Sequence, residues 1–242
     1  MKVQLFGKKS EEIRPLVEKA GFQIVEDNPE IVIAYGGDGT FVRAAHALPG
    51  IPKALLRGSE ICKLCPPFSN EEVLRRLKEK KFEVVEILVL EAQGKNKTLL
   101  GINDIIVHNK DPRHAIRYRI EVDREDMGHE AIGDGIVVAT PLGSTGYYRS
   151  ITASFFDIGI GLAFNNSTEQ FNHMVLGEGS EIRVKITRGP AEVYADNQSE
   201  QIELHDGDEV VIKKSKEVAP SKSESSQNFW IAKTAAALNI QE

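Results

Sequence analysis

The feature that most constrains the fold is the segment IVIAYGGDGTFVRAAHAL at residues 31–48. An apolar run typical of a β-strand leads into the sequence GGDGT at residues 36–40, and apolar residues at helical spacing follow it. This order predicts a strand, a turn and a helix, and the free backbone N–H groups at the start of a helix attract anions such as phosphate. A carboxylate in such a turn repels phosphate, so Asp38 needs a role other than holding the anion.

An Asp-Gly pair between apolar runs also predicts a β-hairpin, which is the alternative interpretation of this segment. A hairpin would need a second alternating strand, whereas residues 41–48 have helical spacing. The loop lacks the Lys-Ser/Thr pair of a P-loop, and its glycines are not spaced as in the dinucleotide-binding fingerprint. An acidic side chain at this point can accept a proton from an attacking hydroxyl or bind Mg²⁺. Both roles make Asp38 catalytic.

Strand and helix patterns alternate over the first third of the chain. Strand patterns lie at residues 3–6, 22–25 and 31–35, and helix patterns begin at Ser10 and Ser69, which we expect to cap them. This alternation predicts an α/β domain with an open, Rossmann-like sheet.

The pattern changes near Phe82 to short strands separated by turn residues. We therefore expect an α/β domain at residues 1–82 and a β-rich, sandwich-like domain at residues 83–227. The polar stretch at residues 215–227 predicts a connector, and residues 228–242 predict a short apolar helix that returns to the first domain.

Charge and cysteine content exclude several classes of function. The 242 residues carry a net charge of -6, with 30 Lys and Arg against 36 Asp and Glu, so we expect no nucleic-acid partner. We see no signal peptide and no membrane span, and expect a cytoplasmic protein without a membrane partner. Cys62 and Cys65 form a CxxC motif without the further ligands of a zinc site or the context of a redox motif. We expect both to be reduced, with a redox or metal role as the alternative.

A second loop, DGIVVATPLGSTGYYRS at residues 134–150, also predicts an anion site. Its small residues at 143–146 expose backbone N–H groups, and two hydroxyls add hydrogen-bond donors. An ordinary turn between strands is the alternative. A third candidate is the pair Asn103-Asp104 at the start of a strand, which could bind ribose hydroxyls or an adenine edge, although Asn-Asp is also common in turns.

These motifs resemble the NAD kinase family, which shares its GGDGT loop with diacylglycerol, sphingosine and phosphofructo-kinases. More specific to NAD kinases are GGDGTFVRAA at residues 36–45, the pair Asn103-Asp104, and the order Asp-Gly, Thr-Pro, Gly-Ser-Thr and Tyr within residues 134–150. The resemblance covers residues from about 31 to 200. This sequence departs from the family pattern in the stretches KALLRGSEICKLC and TASFF. It also has Asp104 where the family has Glu, Gly146 where the family has Ala, and Asp196-Asn197 where the family has Asp-Gly.

The resemblance implies a kinase that transfers a phosphoryl group from ATP or polyphosphate to the adenosine 2′-hydroxyl of NAD, giving NADP. It implies Mg²⁺ or another divalent cation, with no metal ligands assigned, and a homo-oligomer, either a dimer or a tetramer. A lipid or sphingoid-base kinase would share the GGDGT loop but should also present an apolar patch or a membrane-binding segment, which the sequence lacks. A non-catalytic dinucleotide sensor would keep both loops without needing Asp38. Both remain alternatives.

Carried onto this chain, the resemblance implies that Asp38 is the catalytic base. It places the glycines of the first loop and Arg43 near phosphates, Asn103 and Asp104 at the ribose and base, Asp134 at the nicotinamide amide, and residues 145–150 along the adenosine. The implied ligand-binding residues are Gly37, Gly39, Thr40, Arg43, Asn103, Asp104, Asp134, Thr145, Gly146, Tyr147, Ser150 and Gln198.

Overall fold

The computed structural model describes residues 1–169, 173–215 and 230–234. These residues form two compact units, one made of Met1–Ile87 with the strand Trp230–Thr234, and the other of residues 88–215. Compactness does not test which residues fold independently, so the domain boundary near residue 82 stays a prediction. No helix among the described residues is long and apolar enough to cross a membrane.

The first unit is built on a parallel sheet whose helices follow its strands. Its elements are β1 (Lys2–Phe6), α1 (Ser10–Lys19), β2 (Gln23–Ile24), β3 (Ile31–Gly36), α2 (Asp38–Ala47), β4 (Pro52–Arg57), α3 (Asn70–Lys78) and β5 (Phe82–Glu86). Strands β2, β1, β3 and β4 lie side by side in that order, all parallel. The predicted α/β sheet is confirmed.

The segment around GGDGT forms the predicted strand, turn and helix, which excludes the hairpin. Strand β3 is buried along Ile31–Ala34, and α2 begins directly at Asp38 after the single residue Gly37. The predicted cap of α3 is confirmed, because the Ser69 side chain accepts a hydrogen bond from the Glu72 N–H at 3.2 Å. The predicted cap of α1 is wrong: Ser10 is the first helical residue, and no side chain caps this helix.

A buried lysine anchors the far end of α2. Lys53 in β4 is fully buried, and its ammonium group donates to the carbonyl of Leu48, the residue that caps the C-terminal end of α2. Burial lowers the pKa of Lys53 to about 8. A cation at a helix C-terminus interacts favourably with the helix dipole. The contact ties α2, and with it the residue at its start, to the sheet.

The second unit is a sandwich of two antiparallel sheets. Its elements are β6 (Leu90–Gly94), β7 (Lys97–Gly101), β8 (Asp104–Asn109), β9 (Ile116–Val122), β10 (Glu125–Asp126), β11 (Ala131–Gly133), β12 (Gly135–Ala139), a 3₁₀ helix (Gly143–Thr145), α4 (Tyr147–Thr152), β13 (Ile160–Asn165), β14 (Met174–Leu176), β15 (Ile182–Arg188), β16 (Ala191–Ala195), β17 (Gln201–Leu204) and β18 (Glu209–Lys214). The strand orders are β10-β9-β15-β18-β6-β7, with β11 on β9, and β14-β13-β12-β8-β16-β17.

Alternating apolar residues explain why the two sheets pack together. In β9 the buried side chains are Ile116, Tyr118 and Ile120, and the strands of the other sheet contribute residues such as Ile105 and Val193 to the same apolar core. Side chains that alternate along a strand point to opposite faces, so each sheet has one apolar face. The predicted sandwich-like fold is confirmed.

The prediction of a C-terminal helix at residues 228–242 is wrong for residues 230–234, the part of this range that the structure describes. Residues Trp230–Thr234 form a strand, β19, which lies between β4 and β5, parallel to the first and antiparallel to the second. The sequence WIAKT has aromatic and β-branched residues that favour strands, and pairing on both sides outweighs its helical apolar spacing. The rest of the predicted helix, and residues 216–227 of the connector predicted at 215–227, lie outside the described residues.

Candidate functional site

The first candidate group surrounds the carboxylate of Asp38, the first residue of α2. Its Oδ1 accepts a hydrogen bond from the Leu64 N–H at 2.9 Å, and its Oδ2 accepts one from the Lys63 N–H at 3.1 Å. The side chain is half-buried. The segment that follows β4 therefore holds this carboxylate in one orientation at the start of the helix.

The same segment contains a disulfide, which corrects the expectation of two reduced cysteines. Cys62 and Cys65 are bonded, with Cα atoms 5.4 Å apart. The sequence could not show this, because two cysteines at this spacing pair only if the turn brings their side chains together. Sγ of Cys62 lies 3.3 Å from Oδ1 of Asp38. A disulfide sulfur carries no hydrogen, so this is a contact rather than a hydrogen bond.

The other first-loop residues that the sequence singled out lie around the same helix start. Gly37 precedes the helix, and its carbonyl accepts the Thr40 N–H at 2.9 Å. Arg43, one turn further on, donates from Nη2 to the Thr40 hydroxyl at 3.2 Å. The structure thus brings together Gly37, Asp38, Gly39, Thr40 and Arg43, and their contacts to a ligand stay predictions.

In the second unit, a carboxylate that the sequence analysis did not select shapes the Asn103-Asp104 turn. Asp196 accepts three backbone hydrogen bonds, from the N–H groups of Ile102 at 2.8 Å, Asn103 at 2.7 Å and Asp104 at 3.1 Å. Asp196 lies in the turn after β16 with φ 49°, a conformation that aspartate tolerates better than most residues. It fixes the backbone just before β8.

Asp104 itself is buried next to this second carboxylate. Burial, and then the charge of Asp196, raise the pKa of Asp104 to about 7. The Asp104 residue is only 8% exposed. A buried carboxyl in this state can either donate or accept a hydrogen bond near neutral pH.

We expect Asp104→Asn to stabilise the protein at alkaline pH. The pKa of Asp104 is higher in the folded state than in the unfolded state, so ionisation of this carboxyl group lowers the free energy of unfolding. This loss is absent below pH 4, grows between pH 4 and 7, and is complete above pH 7. The variant should therefore gain about 2 to 4 kcal/mol of unfolding free energy at pH 8 relative to pH 4. Denaturant unfolding at pH 4, 6 and 8 measures this gain.

Asp157→Asn is the matched control, because Asp157 is an exposed aspartate of the same unit. The effect of this control on stability should not change over the same pH range. If the two variants show the same pH profile, Asp104 is not destabilised in the folded protein.

The loop after β12 packs tightly against the Asn103 turn. Thr140 donates from its N–H to the Asn103 carbonyl at 2.8 Å and from its hydroxyl to the Ile102 carbonyl at 2.7 Å. The Thr140 hydroxyl also accepts the Gly143 N–H at 3.1 Å. A Cβ at Gly143 would lie 2.0 Å from the Asn103 carbonyl oxygen, which no side chain could tolerate. Only glycine fits where these two segments meet.

The remaining residues of this loop form the 3₁₀ helix and α4. The Ser144 hydroxyl donates to the carbonyls of Pro141 and Phe156, so one of the two hydroxyl donors expected for a ligand serves the fold instead. Gly146 has φ -94°, which excludes a need for left-handed backbone. A Cβ there would lie 3.2 Å from the Gly143 carbonyl, a tight contact that a small adjustment relieves.

Asp134, Tyr147 and three asparagines form a polar cluster beside this loop. Asp134 accepts hydrogen bonds from the side-chain amides of Asn109 at 3.1 Å and Asn166 at 2.6 Å. Tyr147 accepts one from the Asn165 amide at 3.0 Å. Burial, and then the charge of Asp134, raise the pKa of Tyr147, and Asp104 adds a smaller effect in the same direction. The Asp134 N–H donates to the Asn165 carbonyl at 2.9 Å, which joins the two parts of the cluster.

Two further predicted residues have clear partners within the fold. The Ser150 hydroxyl donates to the Tyr147 carbonyl at 2.7 Å. The Gln198 amide donates to the carbonyls of Leu100 at 2.7 Å and Ala195 at 3.1 Å. Thr145 ends the 3₁₀ helix next to Gly146. Their roles toward a ligand, like that of Asn103, stay predictions.

Several residues of this group were missed at the sequence level. Asn109, Asn165 and Asn166 lie at strand ends, where asparagine is common for turn reasons alone. The signal that could have found them is the occurrence of asparagine at the ends of two buried strands, β8 and β13, which pair with β12 from opposite sides.

Residues 102–221 match the family model described as the ATP-NAD kinase C-terminal domain. The chain is 34% identical over 163 residues to a curated NAD kinase from Saccharolobus islandicus, covering 64% of each chain. It is 36% identical over 146 residues to one from Saccharolobus solfataricus, covering 60% of this chain and 57% of the relative. The chain thus matches less than two thirds of the length of these relatives.

Solved structures show the same fold. An NAD kinase from Archaeoglobus fulgidus in complex with ATP aligns with TM-score 0.77 at 21% identity, covering 97% of this chain and 94% of that one. Yeast NADH kinase complexed with NADH aligns with TM-score 0.80 at 16% identity, covering 100% and 89%. The resemblance to NAD kinases and the fold expected from it are confirmed.

Proposed function

Because residues 102–221 match the family model described as the ATP-NAD kinase C-terminal domain, we propose that this protein is an NAD kinase. It transfers a phosphoryl group from ATP or polyphosphate to the 2′-hydroxyl of the adenosine ribose of NAD. The observation that carries the proposal from the structure is the Asp38 carboxylate, fixed at the start of α2 directly after the glycine-rich turn.

The chemistry explains why a carboxylate belongs in an anion-binding turn. The transition state of phosphoryl transfer is loose, so the protein contributes mainly the positioning of its substrates and the neutralisation of charge. Asp38 orients the acceptor hydroxyl and takes its proton. The N–H groups at the start of α2 and Arg43 attract the phosphates. Asp38 then acts on the acceptor rather than on the donor.

The second unit offers groups suited to a dinucleotide. Asp104 can exchange hydrogen bonds with ribose hydroxyls, because a carboxyl group whose pKa is about 7 can either donate or accept near neutral pH. Asp134 already accepts two amide hydrogen bonds, and a carboxylate has about four acceptor positions, which leaves room for the carboxamide of nicotinamide. Tyr147 and residues 145–150 would lie along the adenosine.

A divalent cation and a second subunit complete the proposal. Mg²⁺ commonly binds one or two carboxylates together with nucleotide phosphates, so it does not require a cluster of protein ligands. No group of three or more His, Cys, Asp or Glu side chains that could hold a metal is found in the described part of the chain. The ion, when bound, would offset the charge of the phosphates, and no protein ligand is assigned to it. We propose a homo-oligomer, a dimer or a tetramer, in the cytoplasm.

The direct test is incubation with ATP, Mg²⁺ and NAD, followed by detection of NADP with an NADP-specific dehydrogenase. A second reaction with polyphosphate identifies the donor. Parallel reactions with sphingosine and diacylglycerol test the lipid-kinase alternative. NADP formation supports the proposal, phosphorylation of a lipid alone would replace it with a lipid kinase, and tight NAD binding without any transfer would indicate a sensor.

Replacing Asp104 by alanine is expected to raise the KM for NAD by roughly tenfold and to lower kcat less. A ribose contact that is equally strong in the ground state and the transition state changes binding rather than turnover. Steady-state kinetics with NAD as the varied substrate measure both constants. Asp157→Ala is the control, and an unchanged KM in Asp104→Ala would show that the Asn103-Asp104 pair is only a turn.

A further inference from the structure

We propose that Cys62 and Cys65 form a thiol–disulfide exchange site, and that reduction of their disulfide by a dithiol releases the Asp38 carboxylate for catalysis. The disulfide-bonded protein is then the less active form and the reduced protein the more active one. The effect on activity rests on the proposed function, whereas the effect on the Asp38 contacts does not.

The segment that carries the disulfide covers the carboxylate of Asp38. Lys63 and Leu64, the two residues between the cysteines, donate their N–H groups to Oδ2 and Oδ1. Sγ of Cys62 lies 3.3 Å from Oδ1. Each oxygen therefore accepts one hydrogen bond from this segment, and the segment lies against the side of the carboxylate from which these N–H groups approach. An acceptor hydroxyl that approaches a general base must come within about 3 Å of such an oxygen.

The disulfide restricts the motion that would expose the carboxylate. A bond between residues 62 and 65 closes a short ring that contains both N–H donors. Closing a ring removes conformations in which the ends are apart, so the donors stay near the carboxylate. After reduction the segment gains these conformations, in which its hydrogen bonds to Asp38 are open.

The two sulfur atoms differ in accessibility in a way that suits exchange. Cys65 is buried, at 8% exposure, whereas Cys62 is partly exposed and lies between the exposed residues Ile61 and Lys63. A thiolate of the reductant therefore attacks Sγ of Cys62. In reducing compartments, the disulfides that do form are usually transient and serve catalysis or redox sensing.

Reduction of the disulfide by a dithiol takes two steps, in which bonds, electrons and protons are all accounted for. The first thiolate forms a bond to Sγ of Cys62 while the bond between Cys62 and Cys65 breaks, and Cys65 leaves as a thiolate that takes a proton from water. The second thiol of the reductant, as a thiolate, then attacks the reductant sulfur of the mixed disulfide and displaces Cys62 as a thiolate, which takes a proton from water. The protein gains two electrons and two protons, and the dithiol becomes a cyclic disulfide.

The test compares the oxidised and reduced forms of the same protein. These are the only two cysteines in the 242 residues, so thiol titration should give no thiols before dithiothreitol treatment and two after it. We expect NADP formation to rise by roughly tenfold on reduction, the size expected when hydrogen bonds to a charged group no longer have to break. The double variant Cys62→Ser/Cys65→Ser should form NADP at the higher rate of the reduced protein, with or without dithiothreitol.

A second measurement does not depend on activity. Amide hydrogen exchange at Lys63 and Leu64 should be slow in the oxidised protein and roughly tenfold faster after reduction. Asp38→Ala in the oxidised form should also accelerate it, because the acceptor is gone. If neither form makes NADP but exchange responds as expected, the proposed function fails while control of the Asp38 contacts stands. Equal exchange in the two forms, or equal or lower activity after verified reduction, would overturn the inference.

Discussion

Replacing Asp38 by asparagine is expected to lower kcat by about two to four orders of magnitude while NAD affinity changes by no more than a few-fold. The amide has the same shape but cannot take the proton of the acceptor hydroxyl. It can still accept the Leu64 N–H through its oxygen, so the orientation of the side chain is largely kept. Measurement of kcat by NADP formation and of NAD affinity by calorimetry separates turnover from binding.

The control for this variant is Asp27→Asn, which makes the same chemical change at an exposed position of the same unit. Its kcat should equal that of the parent protein. Both variants should melt within a few degrees of the parent protein. A lower kcat in Asp38→Asn is then not caused by unfolding. A turnover near the parent value in Asp38→Asn would exclude Asp38 as the base.

The largest structural effect is expected for Gly143→Ala. The added Cβ would lie 2.0 Å from the carbonyl oxygen of Asn103 and 2.4 Å from its carbonyl carbon. The two segments can separate only by breaking the hydrogen bonds between Thr140 and the turn at residues 102–104. We expect a loss of about 3 kcal/mol or more in unfolding free energy, and a melting temperature lower by roughly 6 to 12 °C.

The same displacement should also weaken NAD binding, because it moves the turn that carries Asn103 and Asp104. We expect the KM for NAD to rise by roughly tenfold. Gly179→Ala is the control, since a Cβ at Gly179 meets no atom within 4 Å. Identical melting and kinetics of the two variants would show that the loop and the turn are not packed as described.

Local patterns predicted the elements that depend on neighbouring residues. The change from strand to helix spacing at GGDGT placed β3 and α2 correctly, and Ser69 marked the start of α3. These predictions succeed because a hydrogen bond between Ser69 and Glu72, or a turn at Gly37, involves residues only a few positions apart.

Long-range contacts account for what could not be predicted. Asp196 binds a turn more than ninety residues earlier in the chain, and nothing next to it in the sequence marks that pairing. The helical spacing of residues 228–242 predicted a helix, but β4 and β5 supply strand partners on both sides of Trp230–Thr234. Tertiary pairing of this kind overrides local propensity.

The position of β19 also determines the order in which the chain can fold while it is being synthesised. All described residues of the second unit have been made when residue 215 is reached, whereas the sheet of the first unit lacks the strand between β4 and β5 until residues 230–234 leave the ribosome. Contacts between such distant parts of a chain form late. Ribosome-bound chains stalled before and after β19 emerges should therefore differ in protease resistance in the first unit alone, and equal resistance would show that this sheet closes without the strand. At that stage a nascent chain would contain every described strand of the sandwich, whereas the sheet of the first unit would still lack one strand.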